Sequence, residues 1–250
     1  MDLRTITIKE TSDAVTVDEQ RIWDSAIGFA KGNKKKIGQR LTSTDVYPPE
    51  DEPVSVFMSG SPGAGKTEAS IALVNLFTNT SILRIDPDEL RCEFGEYKGG
   101  NAYLFQGAVS ILVSKILDFA LEKKQSFLLD GTLAKLDIAR SNVERSLEKG
   151  RYVQILYVYQ NPMLAWAFVK AREKAEGRRI LAEHFVEQYF AARDVVNALK
   201  LEYGKDVHVD LLLKHIDNSD RLYKAGVDKI DYHIPERYTR DLLMATLGNT

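Results

Sequence analysis

Gly60-Ser61-Pro62-Gly63-Ala64-Gly65-Lys66-Thr67 follows the apolar run Val54-Ser55-Val56-Phe57-Met58 and leads into the helix-like stretch Glu68-Ala69-Ser70-Ile71-Ala72-Leu73-Val74. Glycines at this spacing, between a strand and a helix, form a Walker A phosphate-binding loop. Gly60, Gly63 and Gly65 free the backbone, so that N–H groups along Ser61 to Gly65 can surround phosphates, and the helix adds its positive N-terminal end. Lys66 reaches the terminal phosphates and the Thr67 hydroxyl holds Mg²⁺. The plainer reading, a glycine-rich turn with an incidental lysine, fits the strand–loop–helix context less well. The expected ligand is ATP or GTP with Mg²⁺.

A chain of 250 residues with 44% hydrophobic content has ample material for one α/β core with an appendage. A formal net charge of −2 gives no global attraction to nucleic acid or anionic lipid. Cys92 is the single cysteine, which excludes an intramolecular disulfide and a cysteine-rich zinc site. The start, Met1-Asp2-Leu3-Arg4, lacks the layout of a secretory signal, and no apolar run is expected to approach membrane-spanning length. A cytoplasmic protein with no membrane partner is the expectation.

Two units are expected, residues 1–52 and 53–250. In the first, residues 1–15 alternate weakly and suit an edge strand or arm. Thr16 with Glu19 forms a capping box for a helix carrying Ile22, Trp23, Ala26, Ile27 and Ala30 on one face, ended by Gly32-Asn33. Lys34-Lys35-Lys36 and Arg40 make a basic patch, and a proline-containing link, Thr42 to Pro53, follows. In the second unit, runs at Val54–Ser59, Ile82–Ile85, Phe127–Asp130, Tyr152–Tyr159 and about Val207–Leu213 read as strands with helices between, including a long one near Ala102–Lys124. The fold class is α/β: a P-loop kinase-like, mainly parallel sheet flanked by helices, with an N-terminal helical extension. A lid falls at about residues 170–182.

The candidate chemistry lies at strand ends. In Asp86-Pro87-Asp88-Glu89, Asp86 serves as N-cap, Pro87 as the first helical residue and Glu89 as the reciprocal cap. Asp88 is left to orient or deprotonate an acceptor hydroxyl; its alternative role is a first-turn acid favoured by the helix dipole. Asp130, ending an apolar strand, has the Walker B placement for supporting Mg²⁺, and Gly131-Thr132 lets a backbone and a hydroxyl approach the transferring phosphate; a strand-ending turn is the plainer reading. Arg172, Arg178 and Arg179 in the lid suit charge stabilisation over the β- and γ-phosphates, although the alternating charges of residues 171–176 also suit a solvated helix. Tyr103, Gln106, Ser110 and Ser114 share one stripe of the long helix, fit either for a hydroxyl-rich ligand or for packing under a loop.

Together these residues resemble the zeta toxin family, P-loop kinases of bacterial toxin–antitoxin systems that phosphorylate UDP-N-acetylglucosamine at the 3′-hydroxyl of the amino sugar. The resemblance runs from about Val54 to Glu202 through Gly60–Thr67, Ile85-Asp86-Pro87-Asp88, Asp130-Gly131-Thr132, Asn161-Pro162 and the arginine lid. It implies Lys66 as the ATP-binding lysine, Thr67 as the magnesium-binding hydroxyl, Asp88 as the general base and Thr132 as a threonine beside the sugar nucleotide. Arg172, allowing one residue of gap, and Arg178 match the phosphate-clamping arginines. Three positions depart: Asp130 replaces a glutamate, Leu181 a proline, and Ser114 stands at or near a glutamate that contacts the amino sugar. The family is inhibited by an antitoxin, so residues 1–52 could act as one in cis, through Trp23 and the basic patch, beside any partner in trans; the plainer role is an outer layer of the core.

The resulting functional expectation is transfer of the ATP γ-phosphate to a sugar hydroxyl. Two others stand beside it: a kinase for an antibiotic, a metabolite or a polynucleotide end, and a module that senses ATP without chemistry. Lys34–Lys36 and Arg40 are the sole hint of nucleic acid.

Overall fold

The computed structural model describes residues 16–77, 81–177, 180–215, 217, 219–235 and 237–248. Residues 1–15, with their expected arm, and the lid arginines Arg178 and Arg179 lie outside the described residues. Six strands form one sheet: β1 (Val54–Ser59), β2 (Leu83–Ile85), β3 (Phe127–Leu129), β4 (Tyr152–Tyr159), β5 (Val207–Lys214) and β6 (Asp220–Lys224), in the order β2-β3-β1-β4-β5-β6. β1 to β5 are parallel, and β6 adds antiparallel to β5, pairing Leu212 with Tyr223. The sheet is therefore mainly parallel, with one antiparallel edge strand that carries no alternating apolar signature of its own.

The helices described are α1 (Val17–Leu41), α2 (Lys66–Asn75), α3 (Gln106–Glu122), α4 (Leu136–Leu147), α5 (Pro162–Glu176), α6 (Ala182–Tyr203) and α7 (Arg240–Gly248). They are divided unequally. One sheet face, with Phe57, Phe127, Ile155, Tyr157 and Leu211, is packed under residues from α1, α3, α4, α5, α6 and α7 in a single large core. The other face, with Val56, Met58, Leu128, Leu156 and Val158, meets Ala69 of α2 in a smaller one.

α1 begins as the sequence indicates: the Thr16 side chain accepts from the Glu19 amide at 3.2 Å, and the Glu19 carboxylate accepts from the Thr16 amide at 2.8 Å. It does not end at Gly32-Asn33. The helix continues to Leu41, because Ile37 and Gly38 extend the buried face of Trp23, Ala26, Ile27 and Ala30 by two further turns; tertiary packing overrides the local breaker signal. A Cβ on Gly38 would lie 2.8 Å from Phe119 Cδ2, so this glycine lets α1 lie close against α3. Of the basic patch, Arg40 is ion-paired with Glu93 at 2.6 Å.

The expected long helix is a 3-10 turn, Ala102–Phe105, followed by α3. Residues 102–122 are long and apolar enough to cross a membrane, which corrects the expectation that no run approaches that length. Their apolar side is core: Leu104, Ala108, Leu112 and Ile116 are each 2% exposed or less.

Candidate active site

The phosphate loop has the backbone its sequence calls for. Gly60, Gly63 and Gly65 have φ of 137°, 72° and 84°, values that L side chains rarely adopt, and Gly65 is the left-handed residue from which α2 starts. Ser61 and Ala64 are buried in the loop, and Thr67 is exposed at the first turn of α2. The Lys66 ammonium lies across the loop, donating to the carbonyls of Gly60 at 3.0 Å and Ser61 at 2.7 Å, where phosphate oxygens would compete for it.

β2 and β3 bring the acids together. The Asp130 amide donates to Ile85 O at 2.9 Å, continuing the ladder one residue past β3 and setting Asp130 beside the end of β2. Asp130 Oδ2 accepts from Ser70 at 2.7 Å and from Arg84 Nη2 at 2.7 Å; the same Nη2 donates to Asp86 at 2.5 Å, Nη1 to Glu89 at 2.6 Å and Nε to Ser70 at 2.9 Å. Burial opposes the charge on Arg84, but its bonds to Asp130 and Glu89 outweigh that and hold its pKa above the usual arginine value. Burial raises the Asp86 carboxyl above its ordinary range, reinforced by the negative charges of Asp130 and Asp88. Thr67 offers a hydroxyl at the first turn of α2, and Asp130 offers a carboxylate linked to that turn through Ser70, whose hydroxyl lies 2.9 Å from Thr67 O and 2.7 Å from Asp130 Oδ2. That donor set suits Mg²⁺, which takes its remaining ligands from phosphates and water.

The Asp86 turn departs from the expected capping box. Its Oδ1 accepts from the Asp88 amide at 2.7 Å, but Glu89 turns to Arg84 rather than back to Asp86, and a 3-10 turn, Glu89–Glu93, follows. Asp88 is partly exposed. Arg91 Nη1 donates to its Oδ1, and Arg172 Nη2 lies 4.0 Å from its Oδ2.

Arg172 comes from α5, which starts as the sequence indicates: Asn161 accepts from the amides of Met163 at 3.0 Å and Leu164 at 3.4 Å, with Pro162 at the first turn. α5 touches the donor loop at one end, where a Cβ on Gly63 would lie 2.2 Å from Ala165 O. At the other end, a Cβ on Gly100 would lie 3.4 Å from Gly177 O. Thr132 is beside the donor loop, its carbonyl accepting from Ser59 at 3.2 Å.

The long-helix stripe is dispersed. The Tyr103 hydroxyl donates to the Glu19 carboxylate, and burial, with that bond second, pushes its pKa to about 12. Gln106 is half-buried; Ser110 and Ser114 are exposed, and the Ser110 hydroxyl donates to Gln106 O at 2.9 Å. Three participants were missed by sequence reasoning. Ser70 stands one helical turn after Thr67, Arg84 two residues before Asp86 on β2, and Arg91 three residues after Asp88. The spacings around Thr67 and Asp88 were visible, whereas the meeting of Arg84 with Asp130 depends on strand order.

The zeta toxin family model matches residues 38–228, spanning the loop, the acids and α5. The chain belongs to the zeta toxin family. Its fold is also that of a solved chain from the PezAT chromosomal toxin-antitoxin system of Streptococcus pneumoniae, at 17% identity and a TM-score of 0.58, over 88% of this chain and 92% of that one. A chain in the AvrRxo1-ORF1:-ORF2 structure with ATP matches at 13% identity and a TM-score of 0.54, over 86% of this chain and 71% of that one. No curated protein sequence matches. This zeta-family chain thus has a P-loop kinase fold with a complete Walker A loop.

Proposed function

We propose that the protein is an ATP-dependent kinase that transfers the γ-phosphate to a hydroxyl of a small molecule, the amino sugar of UDP-N-acetylglucosamine being the preferred acceptor. The observation that carries this reading is the span of α5, which packs against the donor loop at Gly63 and presents Arg172 to Asp88. A phosphoryl donor and a carboxylate base are thereby served by one helix. Phosphoryl transfer requires mainly positioning and charge stabilisation, and Lys66, Arg172 and the lid residues Arg178 and Arg179 supply cations for it. Mg²⁺, held by Thr67 and supported by Asp130, would neutralise charge on the β- and γ-oxygens. Asp88 receives the hydroxyl proton. Membership of the zeta family and the likeness to an AvrRxo1 chain solved with ATP support the donor assignment.

Incubation with Mg·ATP and UDP-N-acetylglucosamine tests the reading. A phosphorylated sugar nucleotide is expected, lost in Asp88→Ala; no product from any nucleotide sugar would sink the acceptor assignment. A second reading, another hydroxyl acceptor, is favoured by one observation: Ser110 and Ser114 are exposed and Tyr103 is bonded to Glu19, so the stripe does not converge on one ligand.

For the N-terminal unit, the burial of Trp23, Ile27 and Ile37 in the main core supports an outer-layer role over inhibition in cis. Neighbours solved from a toxin-antitoxin system and as a two-component complex support an antitoxin partner in trans. Binding of Mg·ATP by the protein with and without residues 1–15 separates a cis-inhibitor in the terminal segment, which would raise affinity when removed, from none.

A further inference from the structure

Two buried arginines in this fold are treated differently. Arg151, 5% exposed, spreads its donors over backbone and hydroxyl acceptors: Ser55 Oγ at 2.7 Å, Val54 O at 2.8 Å and Gln125 O at 2.6 Å, with its guanidinium over the Phe127 ring. It ties the start of β1 to the residues leading into β3, a structural task. Arg91, 8% exposed, has its Nε buried with no hydrogen-bond partner, and its one ion pair among the described residues is with Asp88. A buried donor left unsatisfied forfeits the hydrogen bond it would make to water.

The local geometry indicates what is gained. Asp88 and Arg91 lie three residues apart at a 3-10 turn, where side chains i and i+3 eclipse. The Asp86 carboxylate holds the Asp88 amide, and Arg91 holds Oδ1. Asp88 is therefore fixed at backbone and side chain, and Oδ2 is the oxygen presented toward α5 and Arg172. A general base works only when an oxygen lone pair is held on the line of the hydroxyl proton. A guanidinium cannot itself act as a base, since it stays protonated.

We infer that Arg91 is a positioning residue for the Asp88 base: it pins Oδ1 so that Oδ2 accepts the proton of the acceptor hydroxyl. The inference rests on Asp88 having the role proposed above. In the step, the acceptor O–H bond breaks to Asp88 Oδ2, the acceptor oxygen forms a bond to the γ-phosphorus, and the bond to the bridging oxygen of ADP breaks.

The test compares Arg91→Gln and Arg91→Lys in the full chain, alone and with Asp88→Asn. In Arg91→Gln the kcat for phosphoryl transfer is expected to fall by about 10- to 100-fold, the range for a misplaced catalytic group, with KM for ATP changed by less than about twofold. Arg91→Lys, which keeps one donor, recovers part of the loss. With Asp88→Asn already present, Arg91→Gln should change the residual rate by less than about twofold, because the group it positions is gone. Equal losses in both backgrounds, or full activity in a folded Arg91→Gln, would overturn the inference. A crystal structure of Arg91→Gln provides a readout independent of turnover: the Asp88 side chain should leave its single rotamer, and an unmoved Asp88 overturns the inference even if no acceptor is found. Failure of the wild-type protein to phosphorylate a nucleotide sugar, by contrast, counts only against the acceptor.

Discussion

Arg84 and Asp130 are joined across the β2–β3 boundary, Nη2 to Oδ2 at 2.7 Å, with side chains only 14% and 3% exposed. The same nitrogen holds Asp86 at 2.5 Å, so one cation keeps two buried carboxylates together. One lies one residue past the end of β3 and the other in the turn that carries Asp88. Removing one member of a buried ionic group leaves uncompensated charge and costs about 3–5 kcal/mol. Arg84→Gln is therefore expected to lower the melting temperature by about 10 °C, at roughly 2–4 °C per kcal/mol for a chain of this size. Arg84→Lys should lose less. Thermal unfolding followed by circular dichroism measures both, and an unchanged Arg84→Gln would mean that the network contributes nothing.

Asp86 gives this network a pH dependence of definite sign. Burial, then the nearby Asp130 and Asp88 charges, raise its folded pKa above the unfolded value of 3.8. The folded chain therefore holds the proton more tightly than the unfolded chain. As pH rises from 3.8 through the raised value, the Asp86 contribution to stability falls, and it is fully lost above that value. Asp86→Asn keeps an oxygen to accept the Asp88 amide but has no charge to bury. Its stability relative to wild type should improve from about pH 4 to about pH 7 in urea unfolding. A flat or opposite difference would show that the Arg84 pairing outweighs the burial.

Glycines of α1 make a prediction with two signs. Gly38→Ala puts a Cβ 2.8 Å from Phe119 Cδ2 and 2.9 Å from Cε2, whereas Gly28 and Gly32 have nothing within 4 Å. Overpacking costs about 1–3 kcal/mol, more than the ~1 kcal/mol that alanine gains over glycine in a helix. Gly32→Ala should thus stabilise the protein and Gly38→Ala should destabilise it, by denaturant titration of each. If both stabilise, Phe119 yields and α1 is not held tightly against α3.

These particulars show where the sequence was legible. The strands β1 to β5 could be read because each is an apolar run bounded by turn residues, and the glycines of the donor loop because their spacing has no common structural use. Gly32-Asn33 misled because a local breaker signal competes with burial of Ile37, which only the tertiary partner α3 reveals. β6 was missed because Asp220-Arg221-Leu222-Tyr223-Lys224 is an edge strand, exposed at Leu222 and Tyr223, with neither alternation nor an apolar run to mark it. At the candidate site, Lys66, Thr67, Asp88 and Asp130 could be placed beside the loop and the strand ends in advance, because local motifs carry them. Arg84 could not, because its partners Ser70 and Asp130 lie 14 and 46 positions away and meet it only through the β2–β3 pairing.

Gly63 is where the donor loop and α5 test each other most directly. Its φ of 72° is in the left-handed region, and a Cβ would lie 2.2 Å from the backbone oxygen of Ala165. A backbone atom within α5 cannot rotate away as a side chain can, so Gly63→Ala must either reshape the loop or push α5 outward. The first outcome misaligns the amides that face the phosphates; the second draws Arg172 away from Asp88. Both weaken phosphate binding or transfer, and because Ala165 and Val169 of α5 belong to the main core, the second also loosens the packing there. Gly63→Ala is expected to keep a cooperative unfolding transition and to lose at least about tenfold in affinity for Mg·ATP, or about 1.4 kcal/mol of binding, measured by isothermal calorimetry. Wild-type affinity together with normal turnover would show that α5 stands clear of the loop and does not couple the donor site to Asp88.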